Sequence, residues 1–324
     1  MAGDRGGMTE PTVWPAEITT RPLMRPEVPL LWRTPTSIQI GDHVIVDDVS
    51  GDAIRWLAGL DGSRTCIDAS ANNAVDAADQ RVLVHAAYQA GALTDSSLAP
   101  DCWRWVSLDE RARVQQDWAA AASAFLPLDA VRGEAVTPEG VIDARWRTHI
   151  SVNGTSRLAD AVREAVNASG MHLAEPTDTP DATILCSPGH SRVIPMSMPS
   201  LPHIHVGTHG SQSVVGPMVV PGRTSCLRCA QLHHRDADPT WPLVAVQWQQ
   251  HTEGTGAPAQ DHLLLSHCAT YALILLRAWI DQPEATERWG NLAIETDLGS
   301  HNPSLAPHVV SRPTHPSCGC TWDR

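Results

Sequence analysis

Two short cysteine pairs carry the clearest chemistry in this sequence. Cys226 and Cys229 form a C-x-x-C, and Cys318 and Cys320 form a C-x-C in the last segment. A thiolate is a soft anionic ligand, and four of them at the corners of a tetrahedron make a structural zinc site. Each pair is a short chelating loop, and a metal would join the two loops. The spacing therefore predicts zinc held by Cys226, Cys229, Cys318 and Cys320, fastening the last segment to the middle of the chain. The remaining cysteines, Cys66, Cys102, Cys186 and Cys268, are scattered and read as core thiols.

Other residue patterns carry less. His203 and His205 alternate on a predicted strand, so one face could offer both to a metal. His233, His234 and His315 adjoin the cysteine pairs and could each replace a thiolate. For all of these the expected role is structural rather than ligating. The stretch Ser187 to His190 does not form a nucleophile elbow, and no Ser/His/Asp or Cys/His arrangement is legible. The turn after the first strand of the second domain reads VNGTSRLA, from Val152 to Ala159. A dinucleotide turn needs three glycines so that the backbone can approach a pyrophosphate, and this turn has one. Glu175 is the one acid at the end of the next strand. All 23 basic side chains are arginine, which excludes a Schiff-base lysine and a phosphate-binding lysine. No ATP site is expected.

Composition narrows the function classes further. A net charge of -13 argues against bulk electrostatic attraction to nucleic acid or to an anionic membrane. The apolar run from Leu263 to Ile280 is interrupted by Ser266, His267, Thr270 and Arg277, so it reads as a buried helix rather than a membrane span. The first residues lack the apolar core of a signal peptide. Free thiols with a zinc pattern suit a reducing cytoplasm, which is the expected location.

The 324 residues suggest two domains. Residues 1–27, rich in Gly, Pro, Thr and charge, read as a flexible tail. From residue 28 to 100, three short strands around Leu30–Trp32, Ile38–Ile40 and His43–Val46 precede three helices. The helices run from a Ser50 cap to about Leu60, from Cys66 to Ala71 and from Val75 to Ala90. On the third, Val75, Ala78, Val82 and Ala86 are expected to face the core, leaving Arg81, Val84 and Tyr88 on another face. This is a winged-helix-like arrangement. Residues 101–145 hold a bridging helix, with Val114, Trp118, Ala121 and Phe125 on one stripe, and a loop from Asp129 to Gly140. Residues 146–324 alternate strands and helices, which predicts a mostly parallel α/β sheet.

The stretch from Val214 to Pro242, VVGPMVVPGRTSCLRCAQLHHRDADPTWP, with HPSCGC at His315–Cys320, resembles the E1-like (ThiF-type) domain of cyclodehydratase leader-binding proteins. These serve the biosynthesis of thiazole/oxazole-modified peptides. The likeness covers roughly Trp146 to Cys320 and implies a Rossmann-type α/β domain with a structural four-cysteine zinc site. The first domain resembles the precursor-recognition element of the same proteins, through PLLWRTPTSIQIGD at Pro29–Asp42 and LAGLDGSRT at Leu57–Thr65. That element binds a leader peptide as an added strand beside its third strand and against its last helix. The resemblance places the groove between His43–Asp47 and the Val75–Ala90 helix. Val44, Ile45 and Val46 would supply the edge, and Arg81, Val84 and Tyr88 the helix side.

Active E1-like enzymes adenylate a carboxylate with a glycine-rich turn and basic residues on the phosphates. This chain departs from them at both, and it lacks a YcaO-type ATP-using domain. The resemblance thus implies a scaffold that binds a precursor's leader and presents it to a separate YcaO-type cyclodehydratase. Homodimers are common in the family, and the apolar Leu263–Ile280 helix fits one. Two other readings stay open: an active E1-like adenylyltransferase, and a zinc-containing winged-helix transcription regulator. The last is weakened by a candidate recognition helix whose sole cation near its start is Arg81.

Overall fold

The computed structural model describes residues 14–15, 18–25, 28–71, 75–98, 100–124, 137–188, 199–255, 260–299 and 306–321. Residues 1–13, Phe125, most of the expected 129–140 loop and His190 lie outside them. The chain divides into two compact units, Met1–Asp143 and Ala144–Arg324.

The first unit is built on a three-stranded antiparallel sheet of β2 (Leu30–Thr34), β3 (Ser37–Ile40) and β4 (Val44–Val46), in that order. Strand β1 (Pro22–Met24) lies apart from it and pairs with a later strand. Alternation along the sheet sends Ile38, Ile40 and Val46 inward, while the outer row aligns Leu31, Gln39 and Ile45. Helix α1 (Gly51–Ala58) starts at Ser50, whose hydroxyl accepts the Ala53 amide, as expected of a cap. Helices α2 (Cys66–Ser70) and α3 (Ala77–Gln89) follow, then β5 (Leu93–Asp95) and α4 (Leu108–Ala124); α5 (Pro138–Arg147) runs across the division at Asp143. Ile38, Ile54, Leu57, Leu83 and Val84 share one core.

Two expectations for this unit need correction. The tail reading does not describe residues 18–25. Ile18 is buried in the core, and β1 pairs antiparallel with β5. The Asp95 carboxylate accepts the amides of Thr19 and Thr20 and the Thr20 hydroxyl. These ties come from about 75 positions away, so local composition does not reveal them. The second correction concerns the face of α3. Val75 and Ala86 are buried as expected, but the rest of the buried stripe is Gln80, Leu83, Val84 and Ala87, whereas Ala78 and Val82 are exposed. The run Val82-Leu-Val-His-Ala-Ala offers two stripes at helical spacing, and the one containing Leu83 buries more apolar surface.

The second unit carries a seven-stranded sheet. Its strands are β6 (His149–Asn153), β7 (His172–Leu173), β8 (Ala182–Pro188), β9 (His203–His209), β10 (Gln212–Val219), β11 (Leu292–Asp297) and β12 (His308–Ser311). The order is β12-β11-β10-β9-β8-β6-β7. The half from β7 to β9 is parallel, and the half from β9 to β12 is antiparallel, so the sheet is mixed rather than mostly parallel. The cause is local. Gly210, at φ +56 degrees, opens a two-residue link between β9 and β10, and so short a link joins only antiparallel strands. Helices α6 (Arg157–Ala168), α7 (Leu227–Ala237), α8 (Trp241–Thr255) and α9 (His262–Asp281) complete the unit. Helix α9 is long and apolar enough to cross a membrane by length and composition. Here it packs against α6 and β10 and buries Leu264, Leu265, Ala269, Leu273 and Leu276, leaving Leu263, Thr270 and Ile274 exposed.

Candidate metal centre and peptide edge

The loop before α7 is held rigid before any thiol is considered. The Thr224 hydroxyl donates to the Met218 carbonyl and accepts the Val220 amide. The Ser225 amide donates to the Asn291 side chain, and the Asn291 carbonyl accepts the Arg312 amide from the segment after β12. Asn291 thus joins the two loops that carry the cysteine pairs. Cys226 is the N-cap of α7 and Cys229 follows one turn later, its amide on the Cys226 carbonyl.

The four sulfurs meet at this point. The Sγ–Sγ separations are 3.8 Å for Cys226–Cys229 and 3.5 Å for both Cys226–Cys318 and Cys229–Cys320, and all four lie within 4.8 Å of one another. None is in a disulfide. Metal–sulfur bonds of about 2.3 Å set the sulfurs of a tetrahedron about 3.8 Å apart, so the spacing fits a tetrathiolate ion. Electrostatics agree. The hydrogen bond with Cys229 pulls Cys226 down to about 4 against burial, and the same contact, with burial, pushes Cys229 up. Four thiols this close cannot all ionise without a cation among them.

Neighbouring histidines support this cluster rather than joining it. His315 is buried, and its Nε2 donates to Asp236 Oδ2 at 2.7 Å while its Nδ1 accepts the Ser317 amide at 3.0 Å. His233 Nε2 donates to the Pro313 carbonyl at 2.9 Å. His234 packs beside Trp241. His203 and His205 alternate along β9, both buried, and His203 Nδ1 donates to the Leu201 carbonyl. Among the described residues, the four cysteines form the one group with metal-binding geometry. The isolated thiols are inert by comparison: burial pushes Cys186 up to about 12 and Cys268 up to about 11. Cys102 is buried too, and Cys66 is half-buried.

At the β6–α6 turn, Gly154 adopts φ +125 degrees, and a Cβ there would sit 3.0 Å from the Cys186 carbonyl oxygen. The Arg163 guanidinium closes over this turn. Its Nη2 donates to the Gly154 and Val152 carbonyls at 2.6 and 3.1 Å, and its Nη1 pairs with Asp160. The Ser156 hydroxyl caps α6.

The peptide-edge residues are divided by the structure. Strand β4 is an edge of its sheet, with Val46 buried, Val44 half-buried and Ile45 49% exposed. On α3, Arg81 is exposed and Tyr88 half-buried. Val84 is 0% exposed and belongs to the core, so it cannot line a surface groove. Val82, which sequence reasoning placed inside, is 49% exposed. Also missed was a stripe on α7. Cys226, Cys229, His233 and Asp236 are spaced by three, four and three residues, which is one helix face. That spacing was readable in the sequence.

The fold is similar to that of the heterocyclase TruD, with a TM-score of 0.60 at 14% identity over 93% of this chain and 43% of that one. A heterocyclase in complex with substrate and cofactor gives 0.59 at 16% identity, covering 93% and 39%. MccB from E. coli gives 0.55 at 10% identity, covering 93% and 96%. The chain therefore spans about two fifths of the heterocyclases and nearly all of MccB. No protein-family model and no curated protein matches the sequence.

Proposed function

We propose that this chain is a non-catalytic scaffold that binds the leader of a ribosomally made precursor peptide and presents it to a separate YcaO-type cyclodehydratase. The observation that carries the reading is the open β4 edge, with Ile45 half-exposed, in a chain that shares its fold with heterocyclases. An extended peptide satisfies the backbone groups of such an edge by becoming the next strand. The first unit, winged-helix-like in its strands and helices, is the recognition element. The second is a Rossmann-type, E1-like unit whose four thiols hold a structural zinc. On the helix side, Arg81 and Val82 replace Val84 as groove residues. The partners are a leader peptide, a modifying enzyme and a second copy of the chain, with neither nucleic acid nor membrane, in the cytoplasm.

Support for the non-catalytic part is the turn at Gly154, which has one glycine where close approach of a pyrophosphate to the backbone needs three, and whose one nearby guanidinium, Arg163, is already paired with Asp160 and two carbonyls. A second reading, an adenylyltransferase, is favoured by the near-complete overlap with MccB, which has been solved with ATP. Calorimetry separates the two. The full chain should bind the leader of a co-encoded precursor with micromolar affinity and give no heat with Mg-ATP. Peptide-dependent ATP–pyrophosphate exchange would establish the enzyme instead, and absence of leader binding would remove the scaffold reading.

A further inference from the structure

Helix α7 presents Cys226, Cys229, His233 and Asp236 along a single face, and each meets the segment from Pro313 to Cys320. The two thiols meet Cys318 and Cys320, His233 takes the Pro313 carbonyl, and Asp236 takes the His315 ring. His315 is the most connected member of the segment. A backbone amide can only donate, so the Ser317 N–H on Nδ1 leaves that nitrogen without a proton. The ring proton is therefore on Nε2 and points at the Asp236 carboxylate. The backbone of His315 works in the same direction. Its carbonyl accepts the Cys318 amide at 2.9 Å. The His233 ring packs edge-on against it, with centroids 4.9 Å apart.

We infer that His315 is a positioning residue for the metal centre: clamped between Asp236 and the Ser317 amide, it folds the C-x-C loop into its liganding shape before the ion arrives. This rests on the metal reading above and adds to it a cause for the site's geometry. Without the clamp, Cys318 and Cys320 would sit on a segment with several rotatable backbone bonds between Arg312 and the thiols. The ion would then have to order that segment itself, and the ordering entropy would be subtracted from its affinity. Partners outside the ligand set typically change metal affinity 10–100-fold.

Asp236 gives the fold-neutral test, since its side chain is half exposed. The full chain, Asp236→Ala, His315→Ala and His315→Asn are loaded with zinc and titrated with a chromophoric chelator. Their cobalt-substituted forms are compared by absorption. Asp236→Ala and His315→Ala should each weaken zinc at least 10-fold, and the double variant should be no worse than His315→Ala alone. Asparagine keeps an acceptor for Ser317 without reaching Asp236, so His315→Asn should recover part of the loss. Cobalt in His315→Ala should show weaker thiolate charge-transfer bands than in the wild type. A wild-type chain that binds zinc, with unchanged affinity and cobalt spectrum in Asp236→Ala and His315→Asn, overturns the clamp and leaves the metal reading intact. A wild-type chain that takes up no metal overturns both.

Discussion

Asp95 shows how one side chain can hold a segment that looks unstructured in composition. Burial alone would raise its pKa, but hydrogen bonds from the Ser97 hydroxyl and amide and from Thr20 outweigh that and hold the carboxyl below the usual range. The folded-state value lies below the unfolded one, so the carboxylate's contribution is complete above roughly pH 4 and is lost as pH falls through the folded value. Unfolding followed from pH 7 to pH 3 should show the first unit weakening at the acid end, with a flatter acid limb in Asp95→Asn. Equal acid sensitivity in the two would remove Asp95 from this role. Asp95→Ala at neutral pH should cost roughly 3 kcal/mol, because the amides of Thr19, Thr20 and Ser97 and the Thr20 hydroxyl lose one buried, charged acceptor together. The thiols make a second residue-scale prediction. Cys320→Ser should lose most of the bound zinc and lower the melting temperature of the second unit. A loss of about 3 kcal/mol corresponds to a shift of about 6–12 °C in a domain of this size. A variant with unchanged zinc content and melting temperature would show that the ion is not held here.

Among the elements, β4 and α3 carry the proposed groove, and their faces were only half legible. The strands could be read because alternation and a turn make a period-two signal independent of the rest of the chain. Helix α3 could not be assigned a face, because Val82 and Val84 lie on different stripes and only packing against the sheet decides between them. That outcome changes which substitutions inform. Val84→Glu buries an unpaired charge in the core and should unfold the unit, at a cost on the order of 4 kcal/mol or more. Val82→Glu and Ile45→Lys alter half-exposed side chains and should leave circular dichroism unchanged while weakening leader binding about tenfold or more. Leader binding that survives both would move the groove elsewhere. At the thiol cluster, the four cysteines were legible as a group because each pair is local in sequence. The clamp was not, because His315 finds Asp236 only once 79 positions of chain have folded between them.

For the whole molecule, two units and a mixed α and β architecture follow from length and patterning, but the switch from parallel to antiparallel pairing at β9–β10 depended on one short turn at Gly210. Exposed Leu243 and Val246 on α8, and Leu263 and Ile274 on α9, give the second unit apolar surface that a second copy could cover. Light scattering at micromolar concentration should report a dimer, and a monomer mass would remove that expectation. The long separation between the cysteine pairs also sets a clock on synthesis. Cys318 leaves the ribosome 92 residues after Cys226. At about 5–20 residues per second, the first thiols wait roughly 5–18 s for their partners. Late in that interval the apolar α9 has been made while the last two strands of its sheet have not. The elements α9 packs against, α6 and β10, precede it in the chain, so most of the second unit can assemble before its last two strands and the C-x-C pair arrive.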